Sequence, residues 1–171
     1  VTHSIPDSMG IAINTPCGTI IHTGDFKIDQ TPLNGIRSDL SHIASIAKDG
    51  VLMLCSDSTY AETSGYSESE FLVKESFSRI MMDSRDRIIV ATFASLISRI
   101  QAIIDLAYQY DRNVSVMGLS MLRNLKIAQS TGHIKDPHSV VKPINEVNKL
   151  PPHKAVIIGT GSQGENNSFL T

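Results

Sequence analysis

Hydrophobic positions along this chain fall into two rhythms, one of short β-prone runs and one of stripes three and four residues apart. Ile11-Ala12-Ile13 and Thr19-Ile20-Ile21 flank Thr15-Pro16-Cys17-Gly18, where Pro and Gly favour a turn, so the pattern predicts a hairpin. Apolar positions Ile36, Leu40, Ile43, Ala44 and Ala47 predict an amphipathic helix from Ile36 to Lys48, ended near Gly50. Val51 to Cys55 is a continuous apolar run and predicts a buried, central strand. Ser67 and Glu70 have the spacing of a capping box, and Val73, Phe77, Ile80 and Met81 continue one helical stripe behind it.

From there strand and helix alternate. Ile88–Ala91 is strand-like, and Ser95 to about Tyr110 is helical, with Ser95 as N-cap and Leu96, Ile100, Ile103, Ile104 and Ala107 on one face. Val114–Met117 is strand-like, Ser120 caps a helix that ends at Gly132, and Val140-Val141 predicts a short strand. Ile144 to Lys149 predicts a helical turn before Pro151-Pro152. Ala155–Ile158 is a second buried strand and leads into the Gly-rich Gly159 to Gly164. This alternation predicts an α/β fold with a mostly parallel sheet, whose chemistry lies beyond the carboxyl ends of the strands.

Composition narrows the classes. With 171 residues, 41% of them hydrophobic, the chain is long enough for a domain with a core and is not a disordered tail. Fifteen Lys and Arg against seventeen Asp and Glu exclude a histone-like polycation, so any contact with nucleic acid is local. Cys17 and Cys55 stand far apart without a CxxC spacing, which points to a reducing compartment or to buried small hydrophobes. No apolar run approaches the ~20 residues of a membrane helix, and no signal-peptide pattern is present, so a cytoplasmic protein with no membrane partner is expected. The chain opens on Val1 rather than Met and reads as a piece of a longer protein.

Three clusters hold residues able to do chemistry: Thr2–Ser8 with His3 and Asp7, Thr23–Lys27 with Asp25, and Ser56–Thr59 with Asp57. Each lies at or just outside the end of a β-like run, where a scaffold can present a ligand. Imidazole nitrogen and carboxylate oxygen suit zinc or manganese, and a carboxylate can bridge two ions about 3.5–4 Å apart. Each cluster also has an ordinary reading: a surface histidine, a Gly-Asp turn, and a capping or turn segment.

Taken together and in order, the clusters resemble bacterial ribonuclease J, of the β-CASP branch of the metallo-β-lactamase superfamily. The resemblance rests on His3–Ser8, Thr23–Pro32, Ser56–Glu62, Ala91–Ser95 with Arg99-Ile100-Gln101, and Thr160–Glu165. It implies a metal-dependent ribonuclease with 5′-to-3′ exonuclease and endonuclease activity, two zinc ions or manganese in the whole enzyme, RNA as partner, and a homodimer or homotetramer. His3 matches a ligand of one metal, Asp25 the carboxylate bridging both, and Asp57 an acidic residue that supports the metal site without binding the ion. Asp25 and Asp57 are thus the expected catalytic residues, and His3 and Asp25 the expected metal ligands. The resemblance divides the chain into residues 1–67, part of a metallo-β-lactamase sheet, and residues 68–171, a β-CASP domain incomplete at its C-terminal end.

The family's His-x-His-x-Asp-His motif does not occur around any of the six histidines. His133 and His138 enclose Asp136 in the wrong order and read as a solvated loop. The chain by itself is therefore expected to hold metal poorly or not at all and to be inactive. Two loops are candidates for RNA contact: Thr92–Ser95, with Ser95, and the Gly-rich turn with Gly161, Ser162, Gln163 and Gly164. Departing from the family, Asn166-Asn167-Ser168 follows Glu165. Two other readings stand beside this one: a β-CASP nuclease acting on DNA, and a non-catalytic Rossmann-like nucleotide-binding or oligomerisation module.

Overall fold

A computed structural model describes residues 1–161. The chain divides into two compact units, Val1–Phe71 and Leu72 onward.

In the first unit, β1 (Ile11–Thr15) and β2 (Gly18–His22) form the hairpin, antiparallel with Ile13 opposite Ile20. Pro16 and Cys17 make its tight turn, closed by Thr15 Oγ1, which donates to the Gly18 carbonyl at 2.8 Å. The helix α1 is shorter than the periodicity implied, Leu40–Ile46. Asp39 sets its start by accepting the His42 N–H at 2.8 Å. The residues expected to precede it are engaged elsewhere: Thr2 Oγ1 donates to the Ile36 carbonyl, and the Thr2 N–H to Ser38 Oγ.

The apolar run after α1 contributes β3, only Met53–Cys55, parallel to β2. In the order β1-β2-β3 it is an edge strand, not a central one, and Leu52, Met53 and Leu54 are 53–62% exposed. An apolar run shows that a strand can be buried on both faces, but burial needs covering layers. Among the described residues no such layer covers this strand. Cys17 is exposed and Cys55 half-buried, both as free thiols.

The helix α2 (Glu70–Asp83) starts after Ser69 rather than Ser67. Its first N–H groups are taken by Asp29 Oδ2, which accepts from Glu70 at 3.0 Å, and by Ser69 Oγ, which accepts from Phe71 at 3.2 Å. A carboxylate forty-one residues upstream in the chain thus displaces the local capping box.

The second unit is built on a wholly parallel sheet of β4 (Ile88–Ala91), β5 (Asn113–Val116) and β6 (Ala155–Gly159), in the order β4-β6-β5. The last strand in sequence lies in the centre, and all five of its residues are buried. Helices α3 (Ile97–Gln109) and α4 (Leu119–Ser130) and the short α5 (Ile144–Val147) complete the alternation. Ile100, Ile103, Val114, Met121, Val147, Val156 and Ile158 are completely buried. Val140-Val141 adds a single parallel bridge, Val141 opposite Val114, rather than a strand.

Neither serine expected to cap α3 or α4 does so. Leu96 and Gly118 precede the two helices, and among the described residues neither N-cap position has a side-chain cap bond. The Ser95 carbonyl instead accepts the Ile97 N–H within a turn held by Asn124, whose Nδ2 donates to the Ala94 carbonyl at 2.9 Å. Gly118, at φ 96°, turns the chain from β5 directly into α4, leaving Ser120 inside the first turn. The 133–138 loop is solvated, with His133 and His138 exposed, and it is also internally bonded. Asp136 accepts the N–H groups of Val140 and Val141 at 2.8 and 2.9 Å, and the His138 ring stacks on Tyr108 with centroids 3.7 Å apart.

Arg112 closes the other end of α2. It is 4% exposed and donates to the carbonyls of Met81 at 3.1 Å, Ser84 at 2.5 Å and Asp86 at 3.2 Å. Burial lowers the pKa of its guanidinium from the ordinary value.

Candidate metal centre and nucleic-acid loops

The three chemistry-bearing clusters, far apart in sequence, meet in the first unit. Beyond β2 the chain turns at Gly24, at φ 63°, where a side chain would come within 2.6 Å of the Met9 carbonyl oxygen. Only glycine fits that turn without displacing backbone, and the next residue is Asp25. The Thr23 N–H donates to the Cys55 carbonyl at 3.0 Å, which continues the β2–β3 pairing to the foot of this turn. The Asp57 N–H then donates to Thr23 Oγ1 at 3.0 Å.

Asp57 holds the turn from one side. Its Oδ2 accepts the Phe26 N–H at 3.4 Å, and its Oδ1 accepts both the N–H and the hydroxyl of Thr59, at 3.0 and 2.7 Å. These bonds, those of Thr59 foremost, lower its carboxyl below the ordinary value, and the nearby His3 lowers it further. From the other side the Lys27 N–H donates to the Thr2 carbonyl at 2.7 Å, which joins the residue before His3 to the Asp25 turn. His3 is half-buried, its Nδ1 lying 3.3 Å from Ser4 Oγ, while Asp25 is exposed.

One imidazole and two carboxylates therefore share one end of the β2–β3 pair. The donor chemistry of His3 and Asp25 fits zinc or manganese. Their number does not complete a site: among the described residues no group of three or more His, Cys, Asp and Glu is gathered to hold a metal. A four-coordinate ion would need further donors.

The second unit carries the other candidate residues. Ser95 is half-buried in the turn after β4, and Gly161, at φ 118°, follows β6. The Thr92 N–H donates to the Gly159 carbonyl at 3.0 Å, and the Met117 N–H to the Ile158 carbonyl at 2.8 Å. The loops after β4, β5 and β6 thus leave the sheet side by side at the carboxyl ends of parallel strands. Thr92, 1% exposed, has a hydroxyl without a hydrogen-bond partner among the described residues, at the root of these loops. Ser162, Gln163 and Gly164 lie outside the described residues.

Lys27, Asp29 and Thr92 stood inside the sequence motifs without roles of their own, and Gly118 stood outside them. For Asp29 a signal was present: an Asp two residues before a Thr is a common turn pairing, and here Asp29 Oδ1 accepts the Thr31 N–H at 2.9 Å. Nothing local announces its bond to Glu70.

Among the described residues no helix is long and apolar enough to cross a membrane. Residues 85–171 match the family model of the ribonuclease J β-CASP domain. The whole chain is 45% identical to a ribonuclease J of Corynebacterium glutamicum, of which it spans 24%. Over 99% of its length it is 44% identical to a ribonuclease J of Thermus thermophilus and 43% identical to one of Helicobacter pylori, spanning 30% and 25% of those proteins. In fold it is similar to a solved Enterococcus faecalis protein of unknown function, with a TM-score of 0.60 at 15% identity over 91% of this chain and 39% of that one. The parallel α/β sheet and the match across its β-CASP segment make this chain a member of the ribonuclease J family, within the metallo-β-lactamase superfamily.

Proposed function

We propose that this chain is the part of a metal-dependent ribonuclease that brings His3 and Asp25 to the metal centre and carries part of the RNA-binding surface. One observation carries the reading: the Phe26 N–H bonds Asp57 and the Lys27 N–H bonds the Thr2 carbonyl, so both neighbours of the Asp25 turn are held by the other two clusters. On this reading residues 1–67 belong to a metallo-β-lactamase domain and residues 68–171 to a β-CASP domain. The metal ions, two zinc or manganese in the whole enzyme, would lower the pKa of a bound water and stabilise charge on the scissile phosphate. His3 and Asp25 would hold these ions, His3 through an imidazole nitrogen and Asp25 through its carboxylate, and Asp57 keeps the Asp25 turn in place.

The loops bearing Ser95 and Gly161 meet the RNA backbone. The N-terminus of α3, without a side-chain cap, leaves backbone N–H groups to turn toward a phosphate, and the buried Thr92 hydroxyl supports the same surface. Ser162, Gln163 and Gly164 are assigned to RNA contact on the sequence alone. The protein works in the cytoplasm as a homo-oligomer.

The test is made in the intact protein. Asp25→Ala is expected to abolish RNA hydrolysis and lower metal content, while His3→Ala empties mainly one metal position. Full turnover by Asp25→Ala would refute the assignment, and hydrolysis of DNA in preference to RNA would refute the substrate class. Replacing Ser162 and Gln163 together with Ala should weaken RNA binding by roughly 1–3 kcal/mol and leave metal content unchanged. The 171-residue chain alone should show neither tight stoichiometric zinc by calorimetry nor RNase activity.

A further inference from the structure

The segment carrying Asp25 is gripped on its far side as well, by residues that the proposed chemistry does not use. Asp29 is 4% exposed, and its two oxygens accept from two separate stretches of backbone: Oδ1 from the Thr31 N–H at 2.9 Å, Oδ2 from the Glu70 N–H at 3.0 Å. Two residues earlier, Lys27 Nζ donates to the Glu68 carbonyl at 2.6 Å and pairs with Glu70 Oε1 at 3.3 Å. Two residues later, Thr31 Oγ1 lies 2.7 Å from Ser69 Oγ, which also donates to the Thr31 carbonyl at 2.9 Å. Lys27, Asp29 and Thr31 therefore hold residues 68–70 along one line. Burial raises the Asp29 carboxyl, but the hydrogen bonds from Glu70, Ser69 and Thr31 and the charge of Lys27 outweigh it, so the group stays ionised.

A helix start does not require this arrangement. Ser69 already accepts the Phe71 N–H, the ordinary local cap. Burying a carboxylate costs free energy unless it is fully bonded. What Asp29 adds beyond a cap is a fixed connection between its own segment and Glu70. With Thr23, Phe26 and Lys27 bonded to Cys55, Asp57 and Thr2, the backbone on both sides of exposed Asp25 is immobilised.

We propose that Asp29 is a positioning residue for Asp25, pinning the far end of the turn that presents the metal-binding carboxylate. This rests on the reading of Asp25 as a metal ligand. Outer residues that orient a ligand typically change metal affinity or activity by about 10–100-fold when removed.

Three variants of the intact protein, Asp25→Ala, Asp29→Ala and Asp29→Asn, decide it by metal per folded chain, kcat and KM on RNA, and Tm. Asp29→Ala is expected to lower kcat and metal affinity about 10–100-fold with KM within about twofold. Asp29→Asn keeps one oxygen acceptor and should recover part of the loss. If Asp29→Ala does not fold, Asp29→Asn and Thr31→Val are read by the same criteria. Unchanged kcat and metal content per folded chain, with Asp25→Ala losing metal, would overturn the positioning role alone. Metal retained by Asp25→Ala would overturn the underlying reading instead.

Discussion

The Asp57 carboxylate accepts the backbone N–H of Phe26, the residue that follows Asp25, across thirty-one positions of sequence. This bond ties the end of β3 to the turn after β2. It fixes the backbone from which Asp25 projects, so in the proposed metal centre Asp57 would act without touching a metal.

That arrangement sets a pH dependence. The Asp57 and Asp29 carboxyls both lie below the ordinary value of 3.8. The unfolded chain therefore takes up these protons first as pH falls. The stabilisation is fully present above the ordinary value and is lost as pH falls through the lower folded values. In the 171-residue chain, acid titration followed by NMR should give midpoints below 3.8 at the Phe26 and Thr59 amides for Asp57, and at the Thr31 and Glu70 amides for Asp29. A midpoint at or above that value would contradict the hydrogen bonding described.

Gly24 and Gly35 both have positive φ, 63° and 72°, but differ in surroundings. A β-carbon at Gly24 meets the Met9 carbonyl at 2.6 Å, whereas one at Gly35 has nothing within 4 Å. Gly35→Ala should cost about 1 kcal/mol from the left-handed backbone alone. Gly24→Ala should cost at least about 2 kcal/mol, because backbone must also move. Urea unfolding of the two variants gives the comparison.

Removing Arg112 leaves three carbonyls, those of Met81, Ser84 and Asp86, without their buried donor. Arg112→Met should destabilise the second unit by about 2–4 kcal/mol. Arg112→Lys should restore only part of this, since an ammonium cannot reproduce the planar fork. Denaturant midpoints measure both.

Ile158 in β6 is completely buried, and Leu54 in β3 is 62% exposed, although both sit in apolar runs of similar appearance. In the 171-residue chain Ile158→Ala should cost about 2–5 kcal/mol. Leu54→Ala should stay within about 0.5 kcal/mol. Equal losses would show that β3 is covered.

The strands and helices of the second unit were legible because their signals are local. Ile97 to Ala107 carries an apolar stripe at helical spacing, and Ala155–Ile158 is apolar on both faces, so each states its own type and its need for burial. The clusters around His3, Asp25 and Asp57 were legible as residue types able to hold or support a metal. Only the tertiary structure decided their meeting, because the Phe26–Asp57 and Lys27–Thr2 bonds join segments with no sequence relation. It also decided where α2 begins. Ser67 had the right spacing for a cap, but a carboxylate from Asp29 reached the Glu70 N–H. The same holds for strand order: β6 takes the centre and β3 an edge, since an apolar run records that a strand can be buried while its neighbours determine whether it is.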